Sequence, residues 1–243
     1  MKNLILIFSL ISICLVGFVV GVQLETNPIA MSVGFGVVAI ASGVFGFVPN
    51  GALGVSVCGE IATNIVFDCD APLQSGTRER AWVINFEDID SVTYNATNKK
   101  IVESITLKAT KVAYYIDGKN NSIAPSTALV RQTFGSAFDH IVNMKGFDIS
   151  PNVKDNLDKA KEGRFVVITE NNFKGATGNS AFEIYGLTTG LEMTTLTRNP
   201  NDAATMGAFD FTFGTDVNKE PGLPHTFFIT SYAASKTAIE GLL

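Results

Sequence analysis

Between Lys2 and Arg78 the chain carries no basic residue, and before Asp68 its only acidic residues are Glu25 and Glu60. Two uncharged runs lie inside that stretch. Residues 4–22 (LILIFSLISICLVGFVVGV) and 29–48 (IAMSVGFGVVAIASGVFGFV) are 19 and 20 residues long. At about 1.5 Å per residue, each can cross about 30 Å of hydrocarbon as a helix. Lipid leaves the backbone no other partner, so the β-branched content does not forbid a helix there. The second run spaces small residues four apart (Ser32 with Gly36, Ala39 with Gly43, Ser42 with Gly46), which lets helices approach closely. Asn27-Pro28 supply a turn and Pro49-Asn50-Gly51 a stop. The expectation is a hydrophobic segment over residues 1–57, forming a hairpin of two membrane-length helices, with membrane contact through residues 4–48. Lys2 favours a cytoplasmic amino terminus. Two readings compete: an apolar arm buried in an assembly, and a signal peptide. The first run is long for a signal peptide and no small-residue cleavage site precedes Gln23.

From Cys58 onward the composition changes. Residues 61–243 hold 17 of the 18 Lys and Arg and 21 of the 23 Asp and Glu. The overall 46% hydrophobic and 17% charged content, and the mean hydropathy of +0.25, therefore average two different environments. So much apolar mass excludes disorder. A net charge of -5 and a pI of 5.1 argue against sequence-specific nucleic-acid binding, which needs basic surface. Three cysteines do not make a disulfide framework, and His140 and His225 are the only histidines.

Residues 58–243 read as one β-rich domain. Strands are predicted over 81–86, 101–108, 112–116, 128–134, 138–144, 164–169, 181–185, 191–197 and 208–213, separated by Gly, Asn, Asp and Pro clusters. Many short strands with regular turns imply a mainly β fold, an antiparallel sandwich or barrel. Two helices interrupt it. Ser150-Pro151 forms a cap and first turn, Val153, Leu157 and Ala160 share one face, and Gly163 ends the helix. Residues 232–243 follow Ser231 as a candidate cap, with Ala234, Ala238, Ile239 and Leu242 placed to dock onto the body.

No constellation of catalytic type stands out. Cys58 and Cys69 are eleven apart, a spacing that allows a disulfide, without a neighbouring His or CxxC unit to make a metal pair; the expectation is two thiols, free or singly bridged. The Asp68/Asp70 and Asp88/Asp90 pairs read as solvated turn or strand-end charges. Asp139 and His140 are adjacent on a predicted strand, so their side chains face opposite ways and are poorly placed to bond. His225 lies in a Pro-containing loop, and no GxSxG elbow, Walker loop or HExxH is present. Residues 175–178 (GATG) read as a hairpin tip. No residue is assigned a catalytic, cofactor-binding or metal-ligating role, and no cofactor is expected.

The order of phrases RERAWVINFEDID, ITLKATKVAYYIDGKNNS, ALVRQTFGSAFDHIV, GRFVVITENNFKG, AFEIYGLTTGLEM, NDAATMGAFDFTF and LPHTFF resembles that of virion structural proteins from phages of Bacteroidetes hosts. The layout is also similar to that of tail-tube proteins, a β-sandwich with one helix and long loops. The resemblance covers about three quarters of the chain. It implies a virion protein that works by assembly: homo-oligomeric, hexameric rings stacked around a DNA channel, in contact with other virion proteins. An acidic domain suits a channel that must not bind the DNA passing through it. Loops 119–127 and 171–180 would carry ring-to-ring contacts. Tail-tube proteins do not begin with two membrane-length apolar runs, so that segment would be an added device, an anchor in a host membrane or an arm between subunits. The alternatives are a membrane-anchored bacterial surface β-domain that binds a partner or glycan, a capsid-shell or decoration protein, and, last, a hydrolase using His140 or His225.

Overall fold

The computed structural model describes residues 61, 63–216 and 218–243, and all its helices and strands belong to the unit Val66–Leu243. Residues 1–60 lie outside the described residues, and with them the predicted apolar hairpin and Cys58. Among the described residues no helix is long and apolar enough to cross a membrane.

The unit is mainly β. In chain order the strands are β1 (Thr77–Asn85), β2 (Ile89–Tyr94), β3 (Ile101–Leu107), β4 (Tyr114–Asp117), β5 (Ile123–Gln132), β6 (Gly135–Gly146), β7 (Arg164–Asn171), β8 (Phe182–Tyr185), β9 (Leu191–Arg198), β10 (Phe209–Gly214) and β11 (His225–Phe227). Helix α1 (Pro151–Ala160) lies between β6 and β7, and α2 (Tyr232–Glu240) follows β11. Both start where the sequence places them. Ser150 precedes a proline in the first turn and its side chain accepts from Val153 N–H, and Ser231 accepts from Ala234 N–H.

All eleven strands join one sheet, and β7 is its fork. One edge of β7 pairs with β1, which carries β4 on its other side. The opposite edge is divided between two neighbours. Its carboxyl half pairs with β8 and its first two residues, Arg164 and Phe165, pair with β9. From β8 the sheet continues through β11 and β3 to β2; from β9 it continues through β10 and β6 to β5. A strand whose edge is split this way sends the sheet off in two directions. The expected barrel is accordingly absent: the sheet stays open, ending at β2, β4 and β5. It is also mixed, because β11 runs parallel to β3 while every other pairing is antiparallel.

The two branches cover opposite faces of β1 and β7. Successive strand residues point to opposite sides. Trp82, Ile84, Val166 and Ile168 enter one core with Val102, Ile105, Phe182, Ile184, Phe227 and Ile239. Ala81, Val83, Phe165 and Val167 enter the other with Ile123, Val142, Met144, Leu191, Phe211 and Phe213. Strands buried on both faces read as unbroken apolar runs, which is why AWVI and FVVI do not alternate. This covering of β1 and β7 is compatible with the layered packing expected of a sandwich. Helix α1 adds Leu157 and Ala160 to the second core, and α2 adds Ile239 and Ala238 to the first, with Leu242 just beyond its end.

Candidate functional site

The β5–β6 hairpin ends in an exposed tip. Its strands pair without a register shift from Ile123↔Met144 to Gln132↔Gly135, closed by the two-residue turn Thr133-Phe134. Near the body its residues enter the second core through Ile123, Val142 and Met144. Toward the tip that contact ends. Leu129 and residues 131–136 are exposed, and Phe134 has 99% of its surface free. The hairpin is longer than the predicted strands: β5 begins at Ile123 and includes Pro125, and residues 123–127 of the predicted loop 119–127 are strand.

The free edge of β5 is readable from its ladder. Lys145 N–H donates to Ser122 C=O, and Ser122 and Gln132 bracket an even-numbered series that bonds to β6. In an antiparallel pair the bonding alternates. Thr127, Leu129 and Arg131 therefore turn their N–H and C=O groups away from β6. Pro125 falls in the same outward series, where a missing N–H breaks no bond within the sheet. Thr77 Oγ1 donates to Ile123 C=O at 2.5 Å and ties the base of this edge to β1.

The residues weighed for chemistry are held in structural bonds. His140 is 1% exposed and its ring bridges two backbone groups. Gly186 N–H lies 3.2 Å from Nδ1, so Nδ1 accepts; Nε2 then carries the proton and donates to Gly222 C=O at 2.9 Å. Burial pushes its pKa below the usual histidine value, against the opposing pull of Glu220. Its ring also meets Tyr185 edge-on. Asp139 faces away, as strand geometry requires, toward Lys219 Nζ at 2.7 Å and Thr215 Oγ1 at 3.2 Å. Glu220, also buried, is a residue the sequence reading passed over. One of its carboxylate oxygens accepts from Thr188 N–H, Thr189 N–H and Thr189 Oγ1. Glu220 and Phe138 also exchange both backbone bonds, so the segment before β11 is laced to β6.

His225 stands on β11 beside Tyr94, half-buried, with its pKa lowered by burial and then by Lys100. It is not joined to His140 by any bond. Asp68 accepts from the N–H groups of Asp70 and Ala71 and makes an exposed turn. Asp88 pairs with Lys111 at 3.1 Å and accepts from Asn85, whose hydrogen bond lowers its pKa most; Asp90 is exposed. Cys69 is exposed and without a disulfide partner among the described residues. Gly175 and Gly178 both take positive φ in the turn joining β7 and β8, the hairpin tip expected of GATG. No group of three or more His, Cys, Asp or Glu side chains among the described residues is arranged to hold a metal ion. Comparison with known proteins finds no matching family, no matching curated protein and no matching solved structure.

Proposed function

We propose that the chain is a self-assembling structural subunit of a phage virion, tail-tube-like in layout, and not an enzyme. The observation that carries this reading is the β5–β6 hairpin, a long two-stranded arm whose outer edge beyond Pro125 is unpaired among the described residues, with a bare phenylalanine at its tip. An open strand edge is a template for pairing with another chain, and a protein that keeps one long and exposed either blocks it or uses it. Pairing between copies through β5 would extend the sheet from subunit to subunit, and hexameric rings are one closed form of such an arrangement. The order of sequence phrases supports the same reading. So does the engagement of both His140 ring nitrogens by backbone groups, which leaves that imidazole no free nitrogen for acid–base work. The apolar residues 4–48 would serve as a membrane anchor before assembly or as an arm between subunits.

The test is the assembly state of the full-length chain in a non-ionic detergent, by sedimentation velocity and negative-stain imaging. Rings or tubes are expected. Leu129→Pro removes an outward N–H while sparing the bonds to β6, so it should give folded particles that stay small. A wild-type chain that remains monomeric at high concentration would overturn the proposal, as would a Leu129→Pro chain that assembles normally. Recovery of the native protein from host membranes, with none in phage particles, would instead favour the surface-domain reading.

A further inference from the structure

A second feature lies at the opposite side of β1 from the second core, where β1, β7 and α2 meet. A cleft of about 650 Å³ opens there, with Arg78, Trp82, Glu170, Tyr232 and Lys236 in its wall. Glu170, near the end of β7, is buried with only 5% of its side chain exposed. A buried carboxylate needs one compensating charge. Three converge on it: Lys236 Nζ at 3.4 Å, Lys174 Nζ at 3.7 Å and Arg78 Nε at 3.9 Å. Those separations exceed the 2.7–3.2 Å typical of an N–H···O hydrogen bond. The close bond to Glu170 comes from a neutral donor, Tyr232 OH at 2.7 Å. Lys236 Nζ donates to Glu170 and to Tyr232 OH, each at 3.4 Å, and around Glu170 itself the three cations outnumber the carboxylate by two; the rest of the cleft wall adds Arg80 against Glu79, Asp117 and Glu240.

The arrangement is held in place. Phe182 stacks parallel to Tyr232 and meets Trp82 edge-on, fixing the phenol over Glu170. Gly178 lets the β7–β8 turn lie directly against Tyr232, and Lys174 sits 3.6 Å from the centre of that ring. Trp82 supplies an independent sign of a ligand. It is 1% exposed, forms part of the cleft wall, and its Nε1–H is buried without a hydrogen-bond partner among the described residues. A buried donor without an acceptor is costly and calls for an explanation.

We propose that this cleft binds a small ligand bearing an oxyanion group, a carboxylate or a phosphate, received by Arg78, Lys236 and the indole N–H of Trp82. The remaining carboxylates set its size. Asp117 is held by Arg80 through two bonds, at 2.6 and 2.9 Å, and Glu79 accepts from Asn120 N–H. Glu79 and Glu240 line the same cleft, so a long polyanion would be repelled while a compact anion reaches the surplus charge.

Trp82 is the sole tryptophan, so its emission reports directly on the site. The experiment titrates the full-length chain, in a non-ionic detergent at pH 7, with inorganic phosphate in one arm and acetate in another. Sodium chloride at matched ionic strength is the control. A saturable change in emission with phosphate or acetate is expected; response to one alone assigns the ligand's group, phosphoryl or carboxylate. Arg78→Gln and Lys236→Gln should each weaken binding about tenfold, the loss expected of one charge-assisted contact. Lys159→Gln, on the exposed face of α1, should leave it unchanged. Both cleft side chains are more than one third exposed, so the variants should fold, which circular dichroism checks. No difference from chloride in either arm overturns the proposal, as does wild-type binding by Arg78→Gln and Lys236→Gln.

Discussion

Replacing His140 separates packing from protonation. The ring lies between Gly186 N–H, which is buried, and Gly222 C=O, which is partly open to solvent. His140→Ala leaves the Gly186 donor unmet, at about 1–3 kcal/mol, and empties the space against Tyr185, for a total of about 3–5 kcal/mol. His140→Asn keeps an acceptor near the Nδ1 position and loses the Gly222 bond, so about 1–2 kcal/mol is expected. The pH dependence follows from the lowered pKa of the folded state. As pH falls below the ordinary histidine value of about 6.5, the unfolded chain takes up a proton that the folded chain refuses. Stability is then lost progressively until the folded pKa is reached, at a limiting rate of about 1.4 kcal/mol per pH unit. Lys100, Asp139 and Glu220 contribute to the local field, but desolvation dominates. The assay is urea unfolding of the full-length chain in a non-ionic detergent, followed by Trp82 emission at pH 7.5, 6.5 and 5.5. Wild type should weaken across that range; His140→Asn should weaken less, keeping only the share from His225, whose pKa is also depressed. Parallel losses in the two proteins would refute the argument, as would an Asn variant as damaged as the Ala variant at pH 7.5.

Three further outcomes follow from the packing. Phe182→Ala removes the ring between Trp82 and Tyr232 and should cost about 3–5 kcal/mol, with a red shift of Trp82 emission in the folded state. Gly178→Ala would place a methyl 2.8 Å from Tyr232 Cβ at a φ of +82°, so a loss of about 1–3 kcal/mol is expected, measured by thermal unfolding. Glu220→Ala strips the N–H groups of Thr188 and Thr189 of their acceptor, while Thr189 Oγ1 keeps Asn218 C=O at 3.1 Å; stability should fall by about 1.5–3 kcal/mol, and amide exchange at those two residues should accelerate.

The fold class was legible because period-two patterning and turn residues are local properties. Nine strands and both helices are found where those signals lie, and the GATG tip is a turn. The misses have physical causes. Strand β2 (IDSVTY) does not alternate cleanly because register shifts interrupt its pairing with β3 at both ends. Strand β11 is only three residues long and exists because β3 and β8 flank it, a tertiary cause invisible in HTF. The same strand makes the sheet mixed. Closure was not readable either: it depends on β7 dividing one edge between β8 and β9, and no residue of RFVVITEN announces that. Glu170 and Glu220 look like ordinary strand and loop acids in the sequence; their importance comes from burial, which long-range packing decides.

The edge of β5 shows how one residue can mislead locally and inform globally. Proline removes a ladder donor, so by itself Pro125 disfavours a strand at 123–127. It stands at an outward position, where no ladder bond is lost and an exposed donor is removed instead. Thr77, bonded to Ile123 C=O, occupies the base of the same edge. The edge is thus blunted near the body and, among the described residues, open from Thr127 to Arg131, and Phe134 stands bare just beyond it. A protein avoiding contact along β5 would blunt the distal edge too, since that part is the most accessible. Protection confined to the base confines any pairing between copies to the tip, so a contact there would be short in hydrogen bonds. Phe134 and Leu129 would then have to supply much of its apolar burial.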